Sequence, residues 1–384
     1  MSSTVILGSG IIGLSIAYYL ADHQPGSAIH LVDPSPELFA SASGYAGGFL
    51  ARDWFSPDSA SLGALSFDEH RTLAEEHGGR EKWGWSTSTT FSHAAAPVKK
   101  GKKDAGWLQD GGSRAEVVKP DPLRLCHFLL EECKSAGVHV HHPATALSIH
   151  TDLRDELSSV RIGETTSSTE TDVPCTRLVI AAGAWSPRVF SQLFPGTSLQ
   201  VPISSLAGYS LVVKPKPSPP ESSSGNVKAT TACHAIFSTD GAGFSPELFS
   251  RVGGNVYVAG LNSPSTPLPS LPGQVPISAE AIAKLKSTAA RIITNSNDSG
   301  TDLQVVREGL CFRPVTDSGA PILTRIPDDQ LGSVATRTGA EGGVFLAAGH
   351  GPWGISLSLG TGKVMAELMQ GRKLSADISR LGLT

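Results

Sequence analysis

The sequence contains few cysteines and no excess of charge of either sign. Five cysteines occur in 384 residues, and no two of them form a Cys-x-x-Cys pair. Their odd number and wide spacing exclude a disulfide framework and a cysteine-ligated zinc site, and they predict reduced thiols in an intracellular compartment. The chain has 31 Lys and Arg against 35 Asp and Glu, which gives a net charge of -4. This balance argues against a nucleic-acid partner and against a polybasic membrane anchor.

Long hydrophobic runs are also missing. The hydrophobic fraction is 40%, and no apolar run approaches the roughly 20 residues that a membrane-spanning helix needs. We expect no secretory leader, because the first strand pattern already begins at Thr4. These absences predict a cytoplasmic protein. The length allows one large α/β unit or two interleaved domains.

Glycine, by contrast, is abundant, and its first cluster follows an apolar strand pattern. That pattern leads into G-S-G-I-I-G at 8–13, a helical pattern follows, and a second apolar run ends at Asp33. Strand, glycine turn, helix and acidic residue in this order are the fingerprint of a dinucleotide-binding unit. Gly8 permits the tight turn, Gly10 lets a pyrophosphate approach the backbone, and Gly13 lets the helix pack closely on the strand.

The first turn of the predicted helix completes this unit. The backbone N–H groups of Ile11 and Ile12 are free there and carry a partial positive charge, which suits phosphate. Asp33 would accept hydrogen bonds from the ribose hydroxyls of the adenosine. The alternative is a glycine turn in an unrelated α/β unit.

A second segment rich in small residues, S-A-S-G-Y-A-G-G, occupies 41–48. It has too much glycine for a regular helix, so we expect its backbone to lie close against a flat surface. A plain surface turn is the alternative. The residues of this segment expected at a ligand are Ser41, Ser43, Gly47 and Gly48.

The remaining patterns divide the chain into two interleaved parts. Short strand patterns and Pro/Ser-rich loops between about 201 and 315 predict an antiparallel sheet, which a helix near 278–294 interrupts. Near the C-terminus, a strand pattern at 343–348 runs into a glycine turn and a helix over 354–369. We therefore predict an α/β fold with added antiparallel β structure. Its nucleotide-binding domain would comprise 1–50, 120–200 and 315–384, and its second domain 51–119 and 201–314.

Three histidines near one strand pattern raise the question of a metal site. They are His139, His141 and His142. No carboxylate or thiol lies nearby at ligand spacing, so we assign them to exposed strand faces and predict no metal.

Five blocks of the sequence together resemble the FAD-dependent oxidoreductases of the glycine oxidase, D-amino-acid oxidase and sarcosine oxidase type. The resemblance covers most of the chain and is greatest to a fungal branch whose last block reads GHGPWGIS. It implies a Rossmann-like FAD-binding domain of the glutathione reductase type, with an inserted antiparallel substrate domain. The blocks are 8–13, 41–48, 178–183, 309–317 and 348–354.

The resemblance implies FAD as the cofactor. Non-covalent binding of FAD is favoured over a covalent link. Reduction places negative charge at the N1/C2-carbonyl edge of the flavin, and the turn before the last helix would supply N–H donors there. The end of the 178–180 strand would approach the adenosine. A loop that merely leads into a helix and a bare strand end are the alternatives. The residues implied in these two places are Ala182, Gly183, Trp185, Gly349, His350, Gly351, Pro352, Trp353, Gly354 and Ile355.

Five residues are candidates for contact with substrate or for flavin attachment. Arg313 matches the arginine that binds the substrate carboxylate in amino-acid oxidases, and a structural salt bridge is the alternative. Tyr209 and Tyr257 would line the pocket or belong to the core of the sheet. His350 would polarise the flavin or contact substrate, unless the backbone satisfies it. Cys311 resembles the cysteine that carries flavin covalently in sarcosine oxidases, and a buried free thiol is the alternative.

These implications predict an enzyme that oxidises the C–N bond of an amine or amino acid to an imine. Hydride would pass to flavin N5, and O2 would reoxidise the flavin to give H2O2, without a strong protein base. The substrate would be a small molecule, and Arg313 points to an amine that carries a carboxylate. One alternative is a flavin-binding protein with a trafficking or regulatory role and little turnover. As to location, the resemblance implies a protein that is cytoplasmic or associated with endosomes. Another is an NAD(P)-dependent dehydrogenase.

Overall fold

The computed structural model describes residues 2–94, 117–167, 169–215, 233–239, 243–293 and 303–383. The strands are β1 (Thr4–Leu7), β2 (Ile29–Val32), β3 (Leu50–Ala51), β4 (Ser86–Ala94), β5 (Val117–Lys119), β6 (His139–His141), β7 (Ala144–Thr151), β8 (Leu157–Glu164), β9 (Glu170–Pro174), β10 (Arg177–Ile180), β11 (Ser204–Pro215), β12 (Cys233–Thr239), β13 (Glu247–Ser250), β14 (Val256–Ser263), β15 (Leu303–Val315), β16 (Ile322–Ile326) and β17 (Gly343–Ala348). The α-helices are α1 (Ile11–Ala21), α2 (Pro57–His77), α3 (Gly79–Trp83), α4 (Pro122–Ser135), α5 (Ser186–Leu193), α6 (Ala279–Ile293) and α7 (Gly354–Met369).

The first sheet, called the parallel sheet here, has the strand order β16-β17-β10-β1-β2-β6. Only its edge strand β16 runs antiparallel to its neighbour. Its central strands are apolar on both sides because helices or further strands cover both faces. In β1, Ile6 packs into the core beneath α1, α4 and α7, whereas Val5 and Leu7 pack beneath α5 and the small sheet β7-β8-β9.

The second sheet, called the mixed sheet here, has the order β15-β11-β14-β13-β12-β4-β5-β3. Its strands pair antiparallel except β4 and β12, which are parallel. One face packs against α6 through residues such as Leu211 and Leu285. The opposite face carries Phe249, Tyr257 and Ala259. This opposite face turns toward the cavity described below.

The predicted fold class is confirmed, since a parallel nucleotide-binding sheet and a largely antiparallel sheet are both present. The domain boundaries stay a prediction. Helix α7 has the predicted bounds. The sheet β7-β8-β9 was not predicted. In the described part of the chain, no helix combines the length and apolar character needed to cross a membrane.

Candidate functional site

A cavity of about 910 Å³ lies between the two sheets. Its walls include the carboxyl ends of β1, β2 and β10, which is where open α/β sheets bind ligands. Another wall is the face of the mixed sheet that lies opposite α6. The predicted site residues that line the cavity are Gly8, Gly10, Ile11, Ile12, Asp33, Ser41, Ser43, Gly47, Gly48, Ala182, Gly183, Trp185, Tyr257, Cys311, Arg313, His350, Gly351, Pro352, Trp353, Gly354 and Ile355.

The glycines of the 8–13 turn leave no room for side chains. Gly8 has a φ of +108°, and a Cβ there would lie 2.6 Å from the carbonyl oxygen of Ala181. A Cβ on Gly13 would lie 1.9 Å from the carbonyl oxygen of Gly8. Gly13 therefore acts behind the cavity wall, where it allows α1 to pack on β1.

The first turn of α1 meets the 41–48 segment. The backbone N–H of Ile11 donates to Oγ of Ser43 over 3.0 Å, and a Cβ on Gly10 would lie 3.1 Å from the same oxygen. The other N–H groups of a first helical turn lack intrahelical acceptors. The turn thus offers donors and a partial positive charge to a phosphate at the cavity wall.

Asp33 is fixed at the carboxyl end of β2 by two backbone donors. Its Oδ2 accepts the N–H of Ser9 over 2.8 Å, and its Oδ1 accepts the N–H of Ser35 over 2.9 Å. Each carboxylate oxygen has capacity for a further hydrogen bond. A ribose with two hydroxyls could use that capacity.

The 41–48 segment packs against the mixed sheet. A Cβ on Gly47 would lie 2.6 Å from the ring of Phe249 and 3.0 Å from that of Tyr257. The flat surface that Gly47 meets in the structure is therefore a pair of aromatic side chains. Gly48, with a φ of +84°, lies so close to Pro120 that a Cβ would be 2.2 Å from the carbonyl oxygen of Pro120.

The strand end after β10 lies at one side of the cavity. Gly183 has a φ of +55°, and no atom lies within 4 Å of the position of a Cβ there. The indole Nε1 of Trp185 donates to the carbonyl oxygen of Pro269 over 2.9 Å. This bond holds the Trp185 ring in place at the wall.

The turn before α7 forms another side of the cavity. Gly349 does not line the cavity; its φ is +83°, and a Cβ there would lie 2.7 Å from Cγ2 of Thr316. Gly351, with a φ of +56°, has no atom within 4 Å of the position of a Cβ. Helix α7 begins at Gly354, so its first N–H groups are near the cavity wall.

His350 is buried, with 2% of its surface exposed. Its Nε2 lies 3.1 Å from Oγ1 of Thr361, so a hydroxyl on α7 satisfies the ring rather than the backbone. Burial lowers the pKa of His350 to about 3. The imidazole is therefore neutral near physiological pH and offers a polar group without charge.

Arg313 lies on the cavity face of the mixed sheet. Its Nη1 donates to Oδ1 of Asn262 over 2.6 Å. Within the part of the chain that the structure describes, Arg313 forms no ion pair, so the salt bridge considered from the sequence does not occur there. Most of the guanidinium fork is thus available to a ligand carboxylate.

The two tyrosines lie on opposite faces of the mixed sheet. Tyr257 lines the cavity, and its hydroxyl donates to the carbonyl oxygen of Tyr45 over 3.0 Å; burial raises its pKa. Tyr209 does not line the cavity, which corrects the expectation from the sequence. It pairs with Leu310, and both residues pack beneath α6. Neighbouring residues of a strand point to opposite faces, so Leu310 and its partner Tyr209 face α6, while the next residue of β15, Cys311, faces the cavity.

Cys311 lines the cavity beside Arg313 but is only 3% exposed. Burial raises the pKa of its thiol, although Arg313 opposes that effect. The thiol form therefore predominates at neutral pH, and this form is a poor nucleophile.

Several residues of the site were missed from the sequence. Arg251 and Arg307 hold the 41–48 segment, since they donate to the carbonyl oxygens of Ala46 over 3.0 Å and Gly44 over 2.7 Å. Glu247 lines the cavity from β13. Glu247–Ser250 reads polar, apolar, apolar, polar, so it lacks the alternation that would have marked this short strand in the sequence. The missed aromatic residues of the wall are Phe49, Trp54, Phe55, Phe237 and Phe249.

The described residues fit a dinucleotide cofactor. The turn at 8–13 is a cradle that a Cβ would fill, and Asp33 stands at the end of the next strand. The cavity volume lies near the upper end of the roughly 300–1,000 Å³ found for cofactor and ligand sites. Among the described residues, no cluster of His, Cys, Asp or Glu could hold a metal ion.

Comparisons with known proteins agree with this geometry. The family model described as FAD dependent oxidoreductase matches residues 3–368. The protein named "Putative oxidoreductase C1F5.03c" from Schizosaccharomyces pombe is 29% identical over 98% of this chain and 96% of its own length.

Two solved structures share the fold. Glycine oxidase from Geobacillus kaustophilus superposes with a TM-score of 0.73 at 20% identity, over 100% of this chain and 98% of its own. L-proline dehydrogenase from P. horikoshii gives 0.71 at 14% identity, over 99% and 96%. With the match over 3–368, these findings show that the chain belongs to the family of FAD-dependent oxidoreductases, whose cofactor is FAD.

Proposed function

We propose that this protein oxidises the C–N bond of a small amine or amino acid to an imine. The observation that carries the proposal is the position of Arg313. This half-buried cation, which forms no ion pair within the described residues, lines the same cavity as the dinucleotide cradle at 8–13. A cavity that combines a redox cofactor with a carboxylate-binding cation suits an amino acid or N-substituted amino acid.

The residues that would hold FAD are distributed along the cavity. The turn at 8–13 and the start of α1 would bind the pyrophosphate, and Asp33 the adenosine ribose. The backbone of 41–48 and the start of α7 would contact the flavin, which accepts a hydride from the carbon next to the amine nitrogen when it is bound. We propose non-covalent binding, because the Cys311 thiol is buried and its pKa is raised.

The chain itself would supply position, desolvation and charge. Arg313 would fix a substrate carboxylate, and the aromatic wall would exclude water from the reacting atoms. The partial positive charge at the start of α7 would stabilise negative charge that develops nearby. His350 stays neutral and would contribute a hydrogen bond rather than a charge.

We further propose that O2 is the electron acceptor and that H2O2 is formed. A dehydrogenase that passes electrons to another acceptor is the alternative. The free thiol state of all five cysteines supports the proposed intracellular location. The division into an FAD domain and a substrate domain, with the boundaries given above, is part of the same proposal.

The test is an anaerobic titration of the flavin-loaded protein with a panel of amines, D- and L-amino acids and N-methyl amino acids. Loss of the oxidised flavin spectrum with at least one of them is the expected result, and H2O2 after O2 is readmitted would identify an oxidase. A flavin that no member of the panel reduces would contradict the proposal. That result would favour a flavin-binding protein with a trafficking or regulatory role.

A further inference from the structure

Glu247 is a carboxylate on the cavity wall whose side chain has no hydrogen-bond partner among the described residues. It lies at the start of β13, where its backbone pairs in register with Ala259 of β14 and Phe237 of β12. Within the part of the chain that the structure describes, the Glu247 side chain also forms no ion pair. A half-buried carboxylate without a partner is costly, so its presence needs a reason.

Glu247 shares its wall of the cavity with aromatic side chains. Phe249 lies on the same face two residues along β13, and its ring stacks on that of Tyr257 with centroids 5.9 Å apart. The ring of Phe49 also stacks on that of Phe249, with centroids 5.7 Å apart. A cavity wall that carries both a carboxylate and aromatic faces is a favourable environment for an organic cation, because both the charge and the ring quadrupoles attract it.

Arg313 forms no ion pair with Glu247 among the described residues, although its charge acts on Glu247 from a longer distance. Its guanidinium is bonded to Asn262 instead, over 2.6 Å. A β-bulge near Gly260 changes the alternation of β14, so that Tyr257 and Asn262 both lie on the cavity face. The wall of the mixed sheet therefore presents one cation and one anion that are both open to a ligand.

The pKa of Glu247 fits a carboxylate that a bound cation would stabilise. Burial raises the pKa of this carboxyl group, and the nearby Arg313 offsets only part of that effect. A cation bound beside Glu247 would stabilise its charged form and remove the desolvation cost. Removal of the Glu247 charge would leave the bound cation without its partner, and we expect the binding of that cation to weaken strongly.

We propose that Glu247 binds a protonated amino group of the substrate, so that the cavity selects dipolar amines over neutral and purely anionic molecules. The ammonium donates hydrogen bonds to the carboxylate and passes one proton to it before the neighbouring carbon loses its hydride, because only the unprotonated nitrogen can form the imine. The substrate carboxylate lies at Arg313. The aromatic rings contact the rest of the cation. This inference rests on the proposed function, and it adds the residue that recognises the nitrogen side of the substrate.

The experiment compares matched ligands in the flavin-loaded protein under anaerobic conditions. Norvaline and pentanoate differ only in the amino group, and their binding is followed by the rapid shift of the oxidised flavin spectrum that precedes any reduction of the flavin. Glu247→Gln keeps the shape of the side chain and removes its charge. We expect norvaline binding to weaken by ~10-fold or more, with pentanoate binding unchanged or tighter. Glu247→Asp should recover part of the norvaline binding.

The control variant is Glu308→Gln, since Glu308 lies on β15 of the same sheet but is exposed outside the cavity. It should leave both ligands unaffected. Equal loss of norvaline and pentanoate in Glu247→Gln, or no loss of either, would overturn the inference. In the wild-type protein, pentanoate binding at least as tight as norvaline binding would overturn it as well, without any variant.

The two proposals fail separately. If no amine reduces the flavin but norvaline still binds through Glu247, the proposed oxidation is wrong and the recognition of the ammonium stands. If amines reduce the flavin and Glu247→Gln changes neither KM nor norvaline binding, the oxidation stands and the role of Glu247 is wrong.

Discussion

The guanidinium of Arg313 occupies the space that a side chain at Gly208 would need. A Cβ built on Gly208 would lie 3.1 Å from Cζ and from Nη2 of Arg313, and 3.1 Å from Oδ1 of Asn262. Gly208 belongs to β11, which lies between the strands of these two residues. The missing side chain thus lets Arg313 reach across a strand to its hydrogen-bond partner.

This relationship predicts that Gly208→Val disturbs carboxylate binding through Arg313. The added methyl groups would displace the guanidinium from Asn262, so KM for a carboxylate-bearing substrate should rise. Arg313→Ala should lower kcat/KM by a transition-state loss of about 2–4 kcal/mol. Both effects are measured by steady-state kinetics with the best substrate of the amine panel.

A double-mutant cycle separates this mechanism from general damage to the sheet. If Gly208→Val acts through Arg313, it should cause little further loss in the Arg313→Ala background. Fully additive losses, or an unchanged kcat/KM in Arg313→Ala, would remove this pair from substrate binding.

The parts of the fold predicted correctly are those that local sequence determines. The turn at 8–13 and the bounds of α7 follow from a strand pattern, glycines and helical spacing within a few tens of residues. The functions of Gly8 and Gly13 in the turn are visible as close approaches to other backbone atoms. For Gly8 and Gly13, the local sequence pattern alone was therefore enough to predict their role in the turn.

The wall of the mixed sheet could not be predicted in the same way, because it depends on register between distant strands. From the sequence, Tyr209 and Tyr257 were equally good candidates for lining the pocket, yet of these two only Tyr257 lines the cavity. The bulge near Gly260 and the pairing of β11 with β15 decide which face each residue takes. Glu247 was missed for the same reason, since its surroundings come from three different strands.

Retention of FAD should depend on the glycine at position 10. Gly10→Glu would place bulk and negative charge beside the first turn of α1, where the phosphate is expected to bind. Gly10 lines the cavity, and a Cβ at this position would lie 3.1 Å from Oγ of Ser43, so the added side chain would crowd the place where the phosphate is expected. We expect loss of nearly all bound flavin, measured as the ratio of flavin to protein after gel filtration.

Gly196→Glu is the matched control, because Gly196 is exposed and a Cβ there would have no atom within 4 Å. This variant should retain the flavin content of the wild-type protein. Full flavin content in Gly10→Glu, with unchanged thermal stability, would contradict the assignment of the pyrophosphate to this turn.

The state of Cys311 predicts how the flavin is held. Its thiol is 3% exposed and its pKa is raised, so little thiolate is present to attack the flavin ring. After acid denaturation, the yellow colour should leave the precipitate and appear in the supernatant. Colour that stays with the precipitate in the wild-type protein but not in Cys311→Ser would show a covalent link through this residue.

Two buried histidines predict a loss of stability in mild acid. Burial lowers the pKa of His70 to about 4 and that of His350 to about 3, from 6.5 in the unfolded chain. Between pH 6.5 and those folded-state values, the unfolded chain binds protons that the folded protein excludes. The free energy of unfolding should therefore fall as pH decreases through this window, by about 1.4 kcal/mol per histidine for each unit of pH.

Urea unfolding of the flavin-loaded protein at a series of pH values between 4 and 7 measures this slope. His350→Asn should reduce the slope, because asparagine keeps a polar group near Thr361 but takes up no proton. Substitution of the exposed His127 by Asn is the control and should leave the slope unchanged. A slope that His350→Asn and His70→Asn both fail to reduce would mean that other groups, such as carboxyl groups or the histidines His30 and His141, whose pKa values are also lowered, determine the acid stability of the protein.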